Sequence, residues 1–188
     1  VFHSLAWIPA NVFVRALYSR IFFQITLANE FIRESAPAKL AERNLSGADA
    51  TEIGYMRAEA RFLRALSYYH ALDLFGNVPF VTEGDNVGAF LPTQISRANL
   101  FTYVEDELKA IETELKDARS NEYGRADKAA AWALLSRLYL NAEVYTGTPK
   151  YGDCITYCNK VTAVTGYTLA TNYRNLFLAD NNNTGAGE

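Results

Sequence analysis

The feature that most constrains the fold is the recurrence of large apolar residues at three- and four-residue intervals over long stretches. Leu17, Ile21, Ile25, Ala28 and Ile32 follow one another in this way, with Phe13, Phe22 and Phe31 widening the stripe. A period of 3.6 puts such positions on one side of an α-helix, so the spacing predicts a long helix over residues 12–34. Asn11 stands where its side-chain oxygen can accept from the first orphan amides as an N-cap, and Pro37 is expected to close the segment.

The same reasoning predicts four more helices, over residues 50–75, 96–118, 126–145 and 151–164. The second carries Met56, Ala60, Leu63, Leu66, Tyr69 and Leu72 and should end at Gly76-Asn77, because glycine takes a left-handed C-cap conformation without penalty. Ser96 is placed to cap the third, whose apolar face is Leu100, Val104, Leu108, Ile111 and Leu115. Val78-Pro79-Phe80-Val81 reads as a short extended segment, followed by an irregular loop containing Gly84, Gly88 and Pro92. A turn at 166–169 and a short helix at 172–177 follow the last long helix. The expected fold is all-α: one domain, 1–188, of stacked antiparallel helical hairpins with one short extended segment. Trp132-x2-Leu135-x3-Tyr139, with residues 151–161 as the returning helix, has the spacing of a tetratricopeptide unit, which an ordinary antiparallel pair would also give.

A chain of 188 residues that is 49% hydrophobic can bury a real core. Its net charge of -3 argues against a nucleic-acid backbone as partner, since that binding needs a basic surface. No apolar run reaches the ~18 residues of a membrane span. Val1-Phe2-His3-Ser4 lacks the basic and apolar regions of a signal peptide, and the Asn- and Gly-rich end reads as loop, so the chain is expected to be an internal piece of a longer protein.

Little in the sequence assembles catalytic chemistry. His3 and His70 are the only histidines, and His70 sits in a strong helix pattern, where a structural role is the simpler reading. Glu105-Asp106-Glu107 are consecutive and so point different ways on a helix, which favours a solvated acidic face over a catalytic pair. The run from Asp180 to Thr184 lacks the spacing and distal glutamate of a calcium loop. Cys154 and Cys158 share a helix face but no His or Cys completes a metal set, so both are expected to be small buried residues. No metal and no cofactor is expected, and the chain is read as a non-enzyme. Trp7, beside Pro9 and Asn11 ahead of the first helix, has two readings. It could stack on a sugar ring while the amide of Asn11 bonds a hydroxyl, or it could plug the end of the helical stack.

Residues 57–82 include Glu59-Ala60-Arg61-Phe62-Leu63-Arg64-Ala65, then Tyr68-Tyr69, then Phe75-Gly76-Asn77-Val78-Pro79. This stretch resembles the signature of the SusD/RagB family. Leu17-Tyr18-x-Arg20-Ile21, Ala28-Asn29-Glu30-Phe31-Ile32, Ser96-Arg97-Ala98 and Gly124-Arg125-Ala126 with 134–140 resemble further family landmarks in the same order. The resemblance implies the tetratricopeptide-like portion of a surface lipoprotein of the bacterial outer membrane, held there by a lipid anchor. Such a protein binds oligosaccharide, or in some members peptide, and passes it to a SusC-like TonB-dependent transporter. It also implies that Trp7 and Asn11 lie where part of the family's glycan platform is found. The signature residues themselves read as fold-forming. A helical-repeat adaptor for a protein partner is the alternative from the residues alone.

Overall fold

A computed structural model of the chain describes residues 8–181. Among them the elements in order are α1 (Val12–Glu34), α2 (Pro37–Glu42), α3 (Gly47–Phe75), β1 (Val78–Pro79), β2 (Gln94–Ile95), α4 (Arg97–Ile111), α5 (Lys128–Leu140), α6 (Ala142–Thr146), α7 (Tyr151–Thr162) and a 3-10 turn (Tyr173–Phe177).

The long helices run alternately up and down. Tyr18 near the start of α1 meets Phe75 at the end of α3, while Ile32 near the end of α1 accepts from Arg57 near the start of α3. Arg97 opens α4 against the Leu72 carbonyl, and Glu107 further along it meets Arg61. Tyr139 at the end of α5 bonds Glu105 of α4, and Lys160 at the end of α7 lies over Trp132 at the start of α5. One core threads the stack, drawing Ile21 and Ile25 from α1, Tyr68 and Leu72 from α3, Leu100, Val104 and Leu108 from α4, and Leu135 and Leu138 from α5. Ala58, Ala65 and Ala71 are wholly buried in α3, and their small side chains let its neighbours approach on both sides.

The all-α architecture and the Gly76 stop match expectation. Gly76 has φ 74° and ψ -103°, and its amide reaches the Ala71 and Leu72 carbonyls. Five local readings need correction. Pro37 does not merely close α1; it occupies the first turn of α2, where a missing amide costs nothing. The third helix ends at Ile111, not 118: beyond it the Glu114 and Leu115 amides both turn back to the Ile111 carbonyl, and further on Arg119 takes φ 64° and gives its amide to Asp127, the side chain that also caps α5. The fourth stops at Leu140, where the side-chain Nδ2 of Asn141 donates to the Arg137 carbonyl and competes with the helix ladder. The extended segment is not alone, since Val78 and Pro79 pair antiparallel with Ile95 and Gln94. Cys158 is exposed and Cys154 half-buried, so the expected pair of buried thiols is replaced by two free thiols on an open helix face.

Candidate functional site

Asn11 caps α1. Its Oδ1 accepts from the amides of Phe13 at 3.0 Å and Val14 at 3.4 Å, satisfying two of the four orphan donors at the helix start. The cap commits the oxygen of Asn11 to the fold and leaves its Nδ2 available. Trp7 lies outside the described residues.

Immediately beside this cap is a cleft of about 620 Å³ between the start of α1 and the end of α3. Pro9, Val14, Arg15 and Tyr18 line it from the α1 side and Leu74 and Phe75 from the α3 side. Two helices place these groups. Asn11, Arg15 and Tyr18 are spaced i, i+4, i+7 and so follow one face of α1, while Gly76 stops α3 directly after Phe75. Tyr18 packs edge-on against Phe75 with ring centroids 5.2 Å apart, and tilts against Phe22 at 4.6 Å. Arg15 makes no ion pair among the described residues, so its guanidinium keeps its donors for a ligand. An aromatic wall with uncommitted planar donors is suited to a neutral, hydroxyl-rich molecule with one apolar face.

A second concavity, of about 870 Å³, lies between α3, the α4–α5 connection and the end of α7, with Phe62, Tyr123 and Val161 among its walls. Its polar groups are largely spent on the protein. Arg125 holds Glu59 through two nitrogens, at 2.7 and 3.0 Å, and Asn121 Nδ2 donates to Glu59 at 3.0 Å and to the Ala126 carbonyl at 2.9 Å.

The signature stretch builds a scaffold that holds the loop after β1. Arg64, 2% exposed, donates to Asn29 Oδ1 at 2.7 Å and to Glu107 at 3.1 Å, and pairs with Glu83. The Tyr68 hydroxyl donates to the Val81 carbonyl at 2.7 Å and accepts from the Val81 amide at 2.8 Å, while Asn29 Nδ2 reaches the same carbonyl at 3.1 Å. Burial pushes the Tyr68 hydroxyl up to about 12, so it stays a neutral donor. Burial also works to raise the Glu83 carboxyl, but Arg64 outweighs it and holds Glu83 below the usual carboxylate range. Arg61 in turn bonds Glu107 at 2.6 Å and Glu114 at 2.8 Å. These side chains face one another rather than a cavity, which is the fold-forming role expected of them.

Among the described residues no group of three or more His, Cys, Asp or Glu is placed to hold a metal ion, and His70 lies exposed on α3. Arg15 is not singled out by the sequence, and Tyr18 and Phe75 only as landmarks of the resemblance. The i, i+4, i+7 relation to Asn11 was the available signal for Arg15 and Tyr18. Phe75 needed the pairing of α1 with α3.

The fold is an antiparallel helical stack with an aromatic cleft at one end. The chain belongs to the SusD-like family, described as starch-binding and associating with the outer membrane, whose pattern matches residues 6–140. It is 40% identical over 178 residues, 95% of the chain and 30% of the relative, to the starch-binding protein SusD of Bacteroides thetaiotaomicron. It is 27% identical over 172 residues, 88% of the chain, to a SusD-like protein of Bacteroides ovatus. Among solved structures, a SusD-like carbohydrate-binding protein of Bacteroides fragilis shares the fold with a TM-score of 0.75 at 22% identity, over 94% of this chain and 32% of that one. A laminarin-binding SusD-like protein matches with a TM-score of 0.62 at 25% identity, over 82% of this chain and 31% of that one. The chain thus spans about 30% of the length of the curated relatives it matches. No helix among the described residues is long and apolar enough to cross a membrane.

Proposed function

We propose that this chain is the helical-stack domain of a surface protein of the bacterial outer membrane that captures oligosaccharide, with a starch-type α-glucan as its ligand. The carrying observation is the cleft where Tyr18 and Phe75 form an aromatic wall beside the unpaired Arg15 and the Asn11 cap. A glucan fits this chemistry. Its ring faces are apolar enough to lie on Tyr18 or on Trp7, while its hydroxyls accept from a guanidinium or an amide without requiring a counter-charge. The 40% identity to a protein named as starch-binding supports the same ligand class. In this reading Trp7 and the Nδ2 of Asn11 contribute further contacts to the same ligand.

The function is capture without turnover. The glucan passes to a SusC-like TonB-dependent transporter, and the full-length protein is held at the membrane by a lipid anchor. The test is calorimetric titration of the full-length protein with a panel of linear α-glucan, β-glucan and peptide ligands. Saturable binding of α-glucan, with no shortening of the oligosaccharide on prolonged incubation, is the expected result. Preference for peptide, or sustained hydrolysis, would overturn the reading.

A further inference from the structure

Cys154 and Cys158 stand four residues apart on α7 and so share one face of the helix, a single turn from each other. Both are free thiols, Cys154 half-buried against the core and Cys158 exposed. α7 packs on α5, at the flank of the stack away from the cleft between α1 and α3, so the glucan site makes no use of the pair.

Geometry limits what two such thiols can do. Cβ atoms a helical turn apart stand about 5–6 Å from each other, whereas a disulfide needs about 3.5–4.5 Å, so direct S–S bonding would have to distort α7. An ion held between the sulfurs fits the spacing. Metal–sulfur bonds of about 2.3 Å placed in line span about 4.6 Å, a distance that side chains rooted in this way can bridge. Burial, and after it the neighbouring Cys158 thiol, push the Cys154 thiol above its ordinary range. A protonated thiol is a poor nucleophile, so the pair suits an ion that binds sulfur strongly enough to displace the protons.

The number of donors selects the ion. A structural zinc site takes four ligands, and among the described residues no group of three or more His, Cys, Asp or Glu is placed to supply them. The same face of α7 is continued by Lys150, whose ammonium is spent on Glu105, and by the apolar Val161. Copper(I) is soft, prefers thiolate and is satisfied by a pair of sulfurs in line. We propose that Cys154 and Cys158 form a two-thiolate clip for a soft monovalent metal ion of the copper(I) class. Each thiol gives its proton to solvent and each sulfur donates an electron pair, so Cu⁺ and two R–SH become [RS–Cu–SR]⁻ and two H⁺ with no change of oxidation state. The half-exposed position of the pair leaves the ion an entry path from solvent.

The test titrates the reduced full-length protein with Cu(I), in the absence of oxygen, against the chromophoric chelator bicinchoninate. The natural protein is expected to withdraw an equivalent of Cu(I) that Cys154→Ser and Cys158→Ser do not, with affinity at this site on the order of 100-fold lower in either variant, the scale gained when linked donors act together. Cys158→Ser combined with Asn159→Cys keeps the number of sulfurs but turns one off the shared face, and is expected to lose the ion as well. Zn(II) in the same titration is expected to bind the natural protein and the variants alike. Cys158 is exposed, so its replacement should leave the melting temperature unchanged and keep the comparison free of unfolding. Equal Cu(I) uptake by the natural protein and the serine variants would overturn the proposal. Loss in only one serine variant would also overturn it, by marking a single-thiol contact, as would retention of the ion by the variant with the displaced thiol.

Discussion

Tyr18 of α1 stands edge-on to Phe75 of α3, at a centroid distance of 5.2 Å, so the start of one helix and the end of the other share the wall of a single cleft. This relation depends on Gly76. The glycine stops α3 one residue after Phe75 and releases the chain toward β1 with a backbone that a side chain rarely adopts.

Gly76→Ala is therefore expected to destabilise the protein by about 1–3 kcal/mol, the usual cost of holding an ordinary residue at a positive φ of this kind. Space is not the cause, because an added Cβ would meet Arg97 Cδ at an ordinary 3.8 Å. Urea unfolding measures the loss, and an unchanged midpoint would contradict the strain argument.

Arg64 joins α1, α3, α4 and the loop after β1 through Asn29, Glu107 and Glu83. Replacing it with Met removes the charge and leaves a carboxylate, Glu107, that is only 11% exposed without one of its two guanidinium partners. A loss of about 3–5 kcal/mol is expected, the scale seen when one side of a buried ion pair is removed. Lys39→Met, which breaks an exposed pair with Glu42 that solvent screens, should leave stability nearly unchanged. Comparable losses from both substitutions would show that burial does not set the difference.

Glu105 accepts from Lys109, Lys150 and Tyr139. Burial works to raise its carboxyl, and these donors outweigh burial and hold it below the usual range. Its folded value is thus lower than its unfolded value of about 4.3, so the folded state binds fewer protons between the two. The stability it contributes is complete above the unfolded value and is lost as pH falls through the folded one. Glu105→Gln should lower the melting temperature at pH 7 and flatten its acid decline below about pH 5. An unaltered acid limb would remove Glu105 from the account.

The long helices were legible because their cores repeat with the helical period, and Asn11 and Gly76 because capping is a local affair. Proline was misleading at position 37 for an equally local reason: it stops one helix and suits the first turn of the next. The breaks at Ile111 and Asn141 are not legible in the sequence because the apolar pattern continues past both, through Leu115 and Tyr145. Partnerships such as Arg64 with Glu83 and Tyr18 with Phe75 join residues far apart in sequence, and only the chain topology brings them together.

Glucan is proposed to be held at the end of the stack where Tyr18 and Arg15 line the cleft, with Trp7 as a further contact. Calorimetric titration of the full-length protein with a linear α-glucan oligosaccharide tests it most directly, comparing the natural protein with Tyr18→Ala, Arg15→Ala and Trp7→Ala. Each substitution is expected to weaken binding about tenfold, near 1.4 kcal/mol, while Tyr18→Phe retains most of the affinity by keeping the ring. Melting temperatures of the Arg15 and Trp7 variants should stay close to that of the natural protein. Unchanged affinity in all three variants, with the fold intact, would contradict the assignment of the site.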